Sequence, residues 1–391
     1  MTSVLSTLLG RLPIGWLQLV HNRMRLFAAI AGVAFANILI FMQLGFLGAL
    51  TESTTMPYQL MNADVLIYSP ETNTLADAGT IPRQRMFQAQ AVSGVVSTTP
   101  VYVGALLWDR EDGGSSSLRV FGIDPNADAL KIPGIKKYSH RLRLEDIGLI
   151  DQHTRGVPKE VFTSIKSGKP NRFEINGRTI TLEGVFSLGA GFDADGYLIV
   201  SEQTFLRLFS HRIAGAPNYI FVRTDPSAHP NVIVEKLRTT LPAIDSVVDT
   251  LTKAASRDSD YQLTQKPVGI IFGFGAILGI FVGIIIVYQV LSTDVADHLS
   301  EYATFKAMGY KQSFFLGIIF EEAIILAVLG FIPGIALSLG LYKAAAAGTG
   351  LPMVMTVSRS ILVLLGTIIM CTLSGAIATR RLAGADPSDL F

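Results

Sequence analysis

DVADHLSEYATFKAMGY, residues 294–310, is a short polar stretch caught between two long apolar runs, and reading it with its flanks decides the fold. Leu299, Tyr302 and Phe305 recur at three-residue steps, which on a helix gathers them on one side. Gly309 stands where a left-handed glycine would end such a helix. The pattern predicts a short helix over Ser292 to Met308, lying at a membrane surface within a connecting segment of residues 292–312. An ordinary solvated linker between two spans is the competing reading.

The flanks are membrane-spanning in composition. Residues 267–291 carry no charge and form a spanning helix; in it Gly275, Gly279 and Gly283 recur at four-residue steps, the small-residue spacing that lets two helices approach closely. That face is a candidate dimer seam. Residues 313–342 form the next span, with Glu321 and Glu322 near its start and Pro333-Gly334 within. The run after Glu322 is uncharged as far as Lys343, just long enough to cross, which places both acids near an interface. At the midplane a charge costs at least ~2.5 kcal/mol. An outer loop, 343–358, leads to a last span, 359–379, and a tail, 380–391, with Arg380 and Arg381.

Upstream, residues 26–50 are uncharged and long enough for roughly 37 Å of helix against a hydrocarbon core of about 30 Å. This is the first span. Residues 1–25 are apolar but broken by Arg11 and Pro13, which suits an amphipathic helix in the bilayer interface with Trp16 at headgroup depth. A secretory signal fits poorly, because the apolar run that follows is too long for one. Inside the first span, Asn37 and Gln43 are expected to hydrogen-bond to neighbouring helices.

The whole composition agrees. Of 391 residues, 49% are hydrophobic and 16% charged, with a mean hydropathy of +0.43 and a net charge of +1. Such a chain is too apolar for an ordinary soluble enzyme, and it has no basic field to suggest nucleic acid. The single cysteine, Cys371, lies in an apolar run and reads as a small buried hydrophobe.

Between the first and second spans, residues 51–266 have the character of a folded α+β domain. NADVLIYS alternates like a strand, PRQRMFQAQAV reads as a helix, and VVSTTPVYVGALLWD and SSSLRVFGI are strands around the turn EDGG. Further on, Asn176-Gly177 between alternating runs signals a hairpin. The expected arrangement is one α+β subdomain built from the two ends of this region, with a β-rich insertion at about 131–212.

Four spans put both termini on one side. The short segments on that side hold seven Lys or Arg (Arg11, Arg23, Arg25, Lys306, Lys311, Arg380, Arg381) against two (Lys343, Arg359) in the outer loop, so the termini are cytosolic and the large domain is extracytoplasmic.

Catalytic signatures are missing. Ser167-Gly168-Lys169-Pro170 has a proline where a phosphate-binding loop needs Ser or Thr, and Thr163 where it needs its first glycine. Gly273-Phe274-Gly275 matches a dinucleotide fingerprint in letters only, inside a membrane helix. No zinc-protease or serine-hydrolase motif occurs, and the six histidines are scattered. The chain reads as a non-enzyme with no cofactor of its own.

Glu301-Tyr302-Ala303-Thr304-Phe305-Lys306-Ala307-Met308-Gly309 resembles the E-I-G-x-x-[KR]-A-[ILM]-G signature of the FtsX/MacB superfamily, the type VII ABC-transporter permeases, and Glu322 resembles the acid these carry early in their third span. The composition and the N-terminal interfacial helix look most like the DevC group, which has no fused ATPase. Ser300, Tyr302 and Ala303 depart from the usual Arg, aliphatic residue and Gly. The resemblance implies a separate cytosolic ABC ATPase that binds the ATP and docks on Leu299, Glu301, Tyr302, Ala303, Phe305, Lys306, Ala307 and Gly309. It also implies a permease homodimer, a periplasmic membrane-fusion adaptor, a TolC-like outer-membrane channel, and glycolipid-like cargo taken up from the outer face of the inner membrane. An FtsX-like signalling protein that switches a periplasmic hydrolase is the alternative within the family. A secondary transporter or intramembrane enzyme built on Glu321 and Glu322 is disfavoured, since four spans with one acidic pair offer little for a midplane site.

Overall fold

The computed structural model describes residues 14–110, 113–175, 177–298, 304 and 308–378. The chain divides into two compact units, one helical (residues 1–47, 271–345 and 353–391) and one built on a sheet (residues 48–270 and 346–352).

In the helical unit a short helix, α1 (Ile14–His21), precedes four long ones: α2 (Arg23–Leu60), α9 (Pro267–Asp297), α10 (Gln312–Thr349) and α11 (Val357–Ala378). Each of the four is long and apolar enough to cross a membrane. A helix satisfies its backbone internally, as hydrocarbon surroundings demand. Three of them run past the ends expected from hydropathy. Helix α2 continues ten residues beyond Leu50 into a polar tail whose hydroxyls turn back onto the helix: Thr54 Oγ1 donates to the Leu50 carbonyl at 2.8 Å and Thr55 Oγ1 to that of Thr51 at 2.9 Å. Helix α10 continues through the alanine-rich KAAAAGT, a strong helix former, and stops at Gly350 with φ 68°. Helix α9 carries on to Asp297, so residues 292–297 belong to the second spanning helix and not to a separate surface helix.

Helix α2 is the centre of this bundle. Its Asn37, fully buried, accepts a hydrogen bond from Thr367 Oγ1 of α11 at 2.5 Å. Phe41 O accepts from the Tyr342 hydroxyl of α10. Two glycines of α10 make a tight seam with α2: a Cβ on Gly330 would stand 2.5 Å from Val33 Cβ, and one on Gly334 2.9 Å from Asn37 Cβ and 3.3 Å from the Ala34 carbonyl oxygen. Such spacing lets two helix backbones nearly touch. Leu19, Ala29, Val33, Val287, Leu326 and Cys371 pack into one buried cluster, so α1 is held against the bundle through Leu19.

Among the described residues the sheet unit holds nine strands in the order β5-β6-β4-β7-β3-β2-β8-β1-β9. Their ranges are β1 Val65–Tyr68, β2 Val95–Asp109, β3 Ser115–Ile123, β4 Ile147–Asp151, β5 Asn171–Ile175, β6 Arg178–Phe186, β7 Gly196–Ser201, β8 Tyr219–Thr224 and β9 Val247–Thr250. Only β3 with β7 and β4 with β6 are parallel pairs. Alternation sets the faces: Leu66 and Tyr68 of β1 join Tyr219 and Phe221 of β8 in one core, while Val65, Ile67, Ile220 and Val222 join a second on the opposite face. The first face is covered by the end of α2 (Tyr58) and by α8 (Leu251–Thr264, through Ala254); the second by α3 (Gln84–Gln90) and α7 (Pro230–Thr240). A third cluster lies under α5 (Lys159–Lys166) and α6 (Glu202–Leu208). Helix α4 (Ile135–Leu142) lies between β3 and β4 in the chain.

The expected β-rich insertion is not a separate body. Strands β4 to β7 extend the same sheet, and the join is β2: its residues 95–101 pair with β8 and its residues 102–109 with β3. One fifteen-residue strand therefore serves both halves. The hairpin between β5 and β6 closes in two residues, with Ile175 opposite Arg178 and Gly177 at φ 70°.

Candidate functional site

Of the residues expected to dock a partner, Leu299, Glu301, Tyr302, Ala303, Phe305, Lys306 and Ala307 lie outside the described residues. Gly309 is described, with φ 90°, a conformation that favours glycine. Just before it the Met308 amide donates to the Thr304 carbonyl at 3.0 Å.

What the structure does describe is the seat from which this segment departs. Asp294, one turn from the end of α9, is 2% exposed, and Arg25 at the start of α2 meets it at 3.5 Å. The same guanidinium nitrogen pairs with Asp297 at 2.7 Å. The side of α9 next to Asp294 is apolar: Val295 packs with Phe315, Ile318 and Ile319 of α10. Thus the end of α9, the start of α2 and the start of α10 are fastened together immediately ahead of residue 299.

Glu321 and Glu322 belong to this seat. Glu322 is fully buried and faces the Asp294 carboxyl, and no N–H or hydroxyl group donates to either of its oxygens. Glu321 is 7% exposed, and its Oε1 accepts from the Trp16 amide at 3.4 Å. Helix α1 comes so close that a Cβ on Gly15 would meet Glu322 Cγ and the Ile318 carbonyl oxygen, each at 2.9 Å. Both acids are thus enclosed by protein, and Trp16, expected at headgroup depth, is half-buried against the bundle. Desolvating a carboxyl without a donor is costly, which makes this a polar contact that a small shift of α1 or α9 would disturb.

The glycines Gly275, Gly279 and Gly283 face their own chain. A Cβ on each would meet Gln43, Ile40 and Met370 at 2.5, 3.0 and 2.2 Å. This seam joins α9 to α2 and α11 and does not stand open for a second copy.

The same two helical strands of the chain are tied again in the sheet unit. Tyr58, near the end of α2, donates its hydroxyl to Asp258 Oδ2 of α8 at 2.9 Å, and the Leu75 amide donates to the same oxygen at 2.7 Å. Helix α8 leads directly into α9. Burial pushes the Asp258 carboxyl up to about 6, against the lowering effect of those two donors. Close by, the buried Arg119 guanidinium donates to the carbonyls of Ala76 and Asp193, and Gln262 of α8 donates to the Asp193 carboxylate at 2.6 Å. Sequence reasoning missed Arg25, Asp294, Tyr58 and Asp258. The only available signal was their type: a cation ending a polar lead-in, and isolated acids in otherwise helical, half-apolar stretches.

Among the described residues no group of three or more His, Cys, Asp or Glu could hold a metal ion. The site is made of ion pairs and close helix contacts.

Residues 273–387 match the family model for the FtsX-like permease C-terminal region. Comparison with curated proteins finds none that matches. Among solved structures the chain is similar to the periplasmic region of MacB from Actinobacillus actinomycetemcomitans, at 11% identity and a TM-score of 0.34, over 51% of this chain and 93% of that one. It is similar also to the extracellular domain of the noncanonic ABC-type transporter YknZ from Gram-positive bacteria, at 13% identity and a TM-score of 0.32, over 48% and 99%. A domain of a permease protein from Porphyromonas gingivalis gives 17% identity and a TM-score of 0.30, over 50% and 89%.

Proposed function

We propose that this chain is the permease subunit of an ABC exporter of the FtsX/MacB type, closest in kind to the DevC group, and that it carries ATP-driven motion from a separate cytosolic ATPase to an extracytoplasmic sheet domain. The observation that carries the reading is the family match over residues 273–387, which takes in the connecting segment and the two helices after it. The chain itself is no enzyme in this scheme. Nucleotide is bound and hydrolysed by the partner, which docks on Tyr302 and Phe305 as apolar anchors, with Glu301 and Lys306 at the rim.

The fastenings support how the motion would travel. A push on residues 299–310 reaches α9 and α2 together, because Arg25 joins their ends through Asp294 and Asp297. At about 1.5 Å per residue, the 38 residues of α2 and the 31 of α9 span roughly 57 and 46 Å, longer than a hydrocarbon core of about 30 Å. Tyr58 and Asp258 keep the α2 and α8 segments in step inside the sheet unit. In this reading the permease works as a homodimer in the inner membrane with both termini cytosolic. It delivers a lipid-like amphiphile to a periplasmic adaptor and a TolC-like outer-membrane channel.

The docking half is tested by Phe305→Asp. The variant should insert and fold like the parent, yet lose co-purification with the co-expressed ATPase and lose stimulation of its ATP hydrolysis. Undiminished capture and stimulation would discard the docking role.

A further inference from the structure

Residues 346–352, AAGTGLP, lie between two spanning helices in the chain, yet they belong to the sheet unit and not to the helical one. Helix α10 runs into this loop without a break. It ends at Thr349; the Gly350 amide donates to the Ala346 carbonyl at 2.9 Å and the Leu351 amide to Thr349 Oγ1 at 3.3 Å. Leu351 is buried. Against Gly350 lies Arg155: a Cβ on that glycine would stand 3.4 Å from Nε, 3.6 Å from Cγ and 3.8 Å from Cδ, ordinary contact distances along the stem of the arginine.

Arg155 is held from several sides. Its amide donates to the Asp195 carbonyl at 2.8 Å, Nη1 pairs with Asp195 Oδ1 at 3.2 Å, and Nη2 donates to the Gly191 carbonyl. Its own carbonyl accepts from Ser116 Oγ of β3 at 2.9 Å. Asp195 is fixed to β3 in turn, where the Ser117 amide donates to its Oδ2 at 2.9 Å. The loop that carries Gly191 and Asp195, residues 187–195, rests on the end of α2: a Cβ on Gly191 would stand 3.1 Å from Ser53 Cβ, and one on Gly189 3.2 Å from Met56 Cε. Of the arginine's side-chain nitrogens only Nε, which is buried, has no acceptor. The charges match, because the last turn of a helix carries partial negative charge and Arg155 brings a cation to the end of α10.

We propose that residues 346–352 form a second strut, through which α10 bears on the sheet unit, and that Arg155 is its seat. The first route runs along α9 into α8 and reaches Asp258 beside the core of β1 and β8. The second runs along α10 to the place where β3 and β7 begin and β4 ends, in the other half of the sheet. Both start from the same seat, because Val295 of α9 packs with Phe315 of α10 next to the docking segment. A displacement there enters the two routes together. The strut's use rests on the transport reading; the seat itself does not.

The test is hydrogen-exchange mass spectrometry on the full chain in phosphatidylcholine nanodiscs. Without the ATPase, Arg155→Ala should speed exchange in the peptide holding residues 346–352 about tenfold and leave the peptide at 251–264 unchanged. Gly350→Asp sets a carboxylate beside Nε, and aspartate tolerates the φ of 68° found there. It should slow exchange about threefold relative to the neutral control Gly350→Asn, and that gain should vanish in Arg155→Ala/Gly350→Asp. Exchange unmoved by Arg155→Ala, or no slower in Gly350→Asp than in Gly350→Asn, would overturn the seat; if Arg155→Ala loosens 251–264 as well, the two Gly350 variants decide. With the ATPase bound, trapping it with ATP and vanadate should alter exchange at 187–195 and at 251–264. In Arg155→Ala the change at 187–195 should shrink while that at 251–264 persists; an undiminished change at 187–195 would overturn the strut as a carrier of motion. No change at either peptide, in a complex that still hydrolyses ATP, would overturn the transport reading and the strut's use with it, whereas the seat is decided without nucleotide. Loss of docking is read separately by Phe305→Asp.

Discussion

Gly330→Ala and Gly334→Ala should each weaken the helical unit, and the coordinates say by how much. An alanine Cβ at 330 would stand 2.5 Å from Val33 Cβ and 3.4 Å from the Ala34 amide nitrogen; at 334 it would stand 2.9 Å from Asn37 Cβ and 3.3 Å from the Ala34 carbonyl oxygen. Carbon atoms rest at about 3.5–4.0 Å, so α10 and α2 must part by roughly 1 Å. Val33 Cγ1, at 2.6 Å from the Cβ at 330, could turn about χ1, but Val33 Cβ, Asn37 Cβ and the Ala34 backbone cannot swing aside. Overpacking of this kind costs about 1–3 kcal/mol, and the gain in helix propensity from Gly to Ala returns up to ~1 kcal/mol. The net expectation is a loss of about 0.5–2 kcal/mol for each. The double variant should lose less than the sum, because the first substitution already parts the helices for the second. Gly340 and Gly366 are the controls, with nothing within 4 Å of a Cβ; alanine there should be neutral or stabilising by up to ~1 kcal/mol. The assay is built into the chain. Cys371 is its only cysteine and is fully buried in the bundle, so a dye that fluoresces on reaction with thiols reports the temperature at which the helices open. Midpoints for Gly330→Ala and Gly334→Ala at or above those of the two control variants would refute the close-contact argument.

Two further perturbations test the fastenings. Arg25→Ala takes from Asp294, at 2% exposure, the cation it meets at 3.5 Å while His298 stays beside it, and should lower the stability of the helical unit by about 1–3 kcal/mol; Arg25→Ala/Asp294→Asn should recover most of this in the same thiol assay, and a single variant as stable as the parent would remove the ion pair from the account. Asp258 titrates at about 6 in the fold against about 3.9 in the unfolded chain, so the folded state holds the proton more tightly. This group therefore favours the fold most below pH 4, and that advantage is lost as pH rises from about 4 to 6, by about 3 kcal/mol at ~1.36 kcal/mol per unit. In Asp258→Asn that pH dependence should flatten, read as unfolding of the sheet unit by the fluorescence of buried Trp108 in a Trp16→Phe background; an unaltered slope would show that Asp258 is not its source.

The spans and the strands were legible because each depends on a local pattern. Uninterrupted apolar runs mark α2, α9, α10 and α11, and the stretches read as strands coincide with β2 and β3 to the residue, while NADVLIYS holds β1 in its apolar middle, Val65–Tyr68. The helix overruns were not, because hydropathy stops at Leu50 while the hydroxyls of Thr54 and Thr55 go on satisfying the helix from inside. The close seam at Gly330 and Gly334 was not legible, because which face of α10 meets α2 depends on a partner nearly 300 residues away; α10 continues unbroken through Pro333. The evenly spaced glycines of α9 were noticed and given to a partner copy, when their neighbours are α2 and α11. Pairings such as Arg25 with Asp294 and Tyr58 with Asp258 join positions 269 and 200 residues apart, and no periodicity carries information over that distance. The docking residues themselves were read from a short motif whose geometry lies outside the described residues.

Strand β2 has a consequence for anyone wishing to trim this protein. Excising residues 131–212 looks like a clean removal of an insert, but it would strip β7 from the side of β3 and leave that strand as a raw margin, with Val120, Phe121 and Ile123 on it. An open, flat, greasy border of that kind recruits other chains, so the shortened version should precipitate where the intact one stays dispersed. The two halves are stitched by a shared thread, and a workable miniature has to keep both or supply a new selvedge.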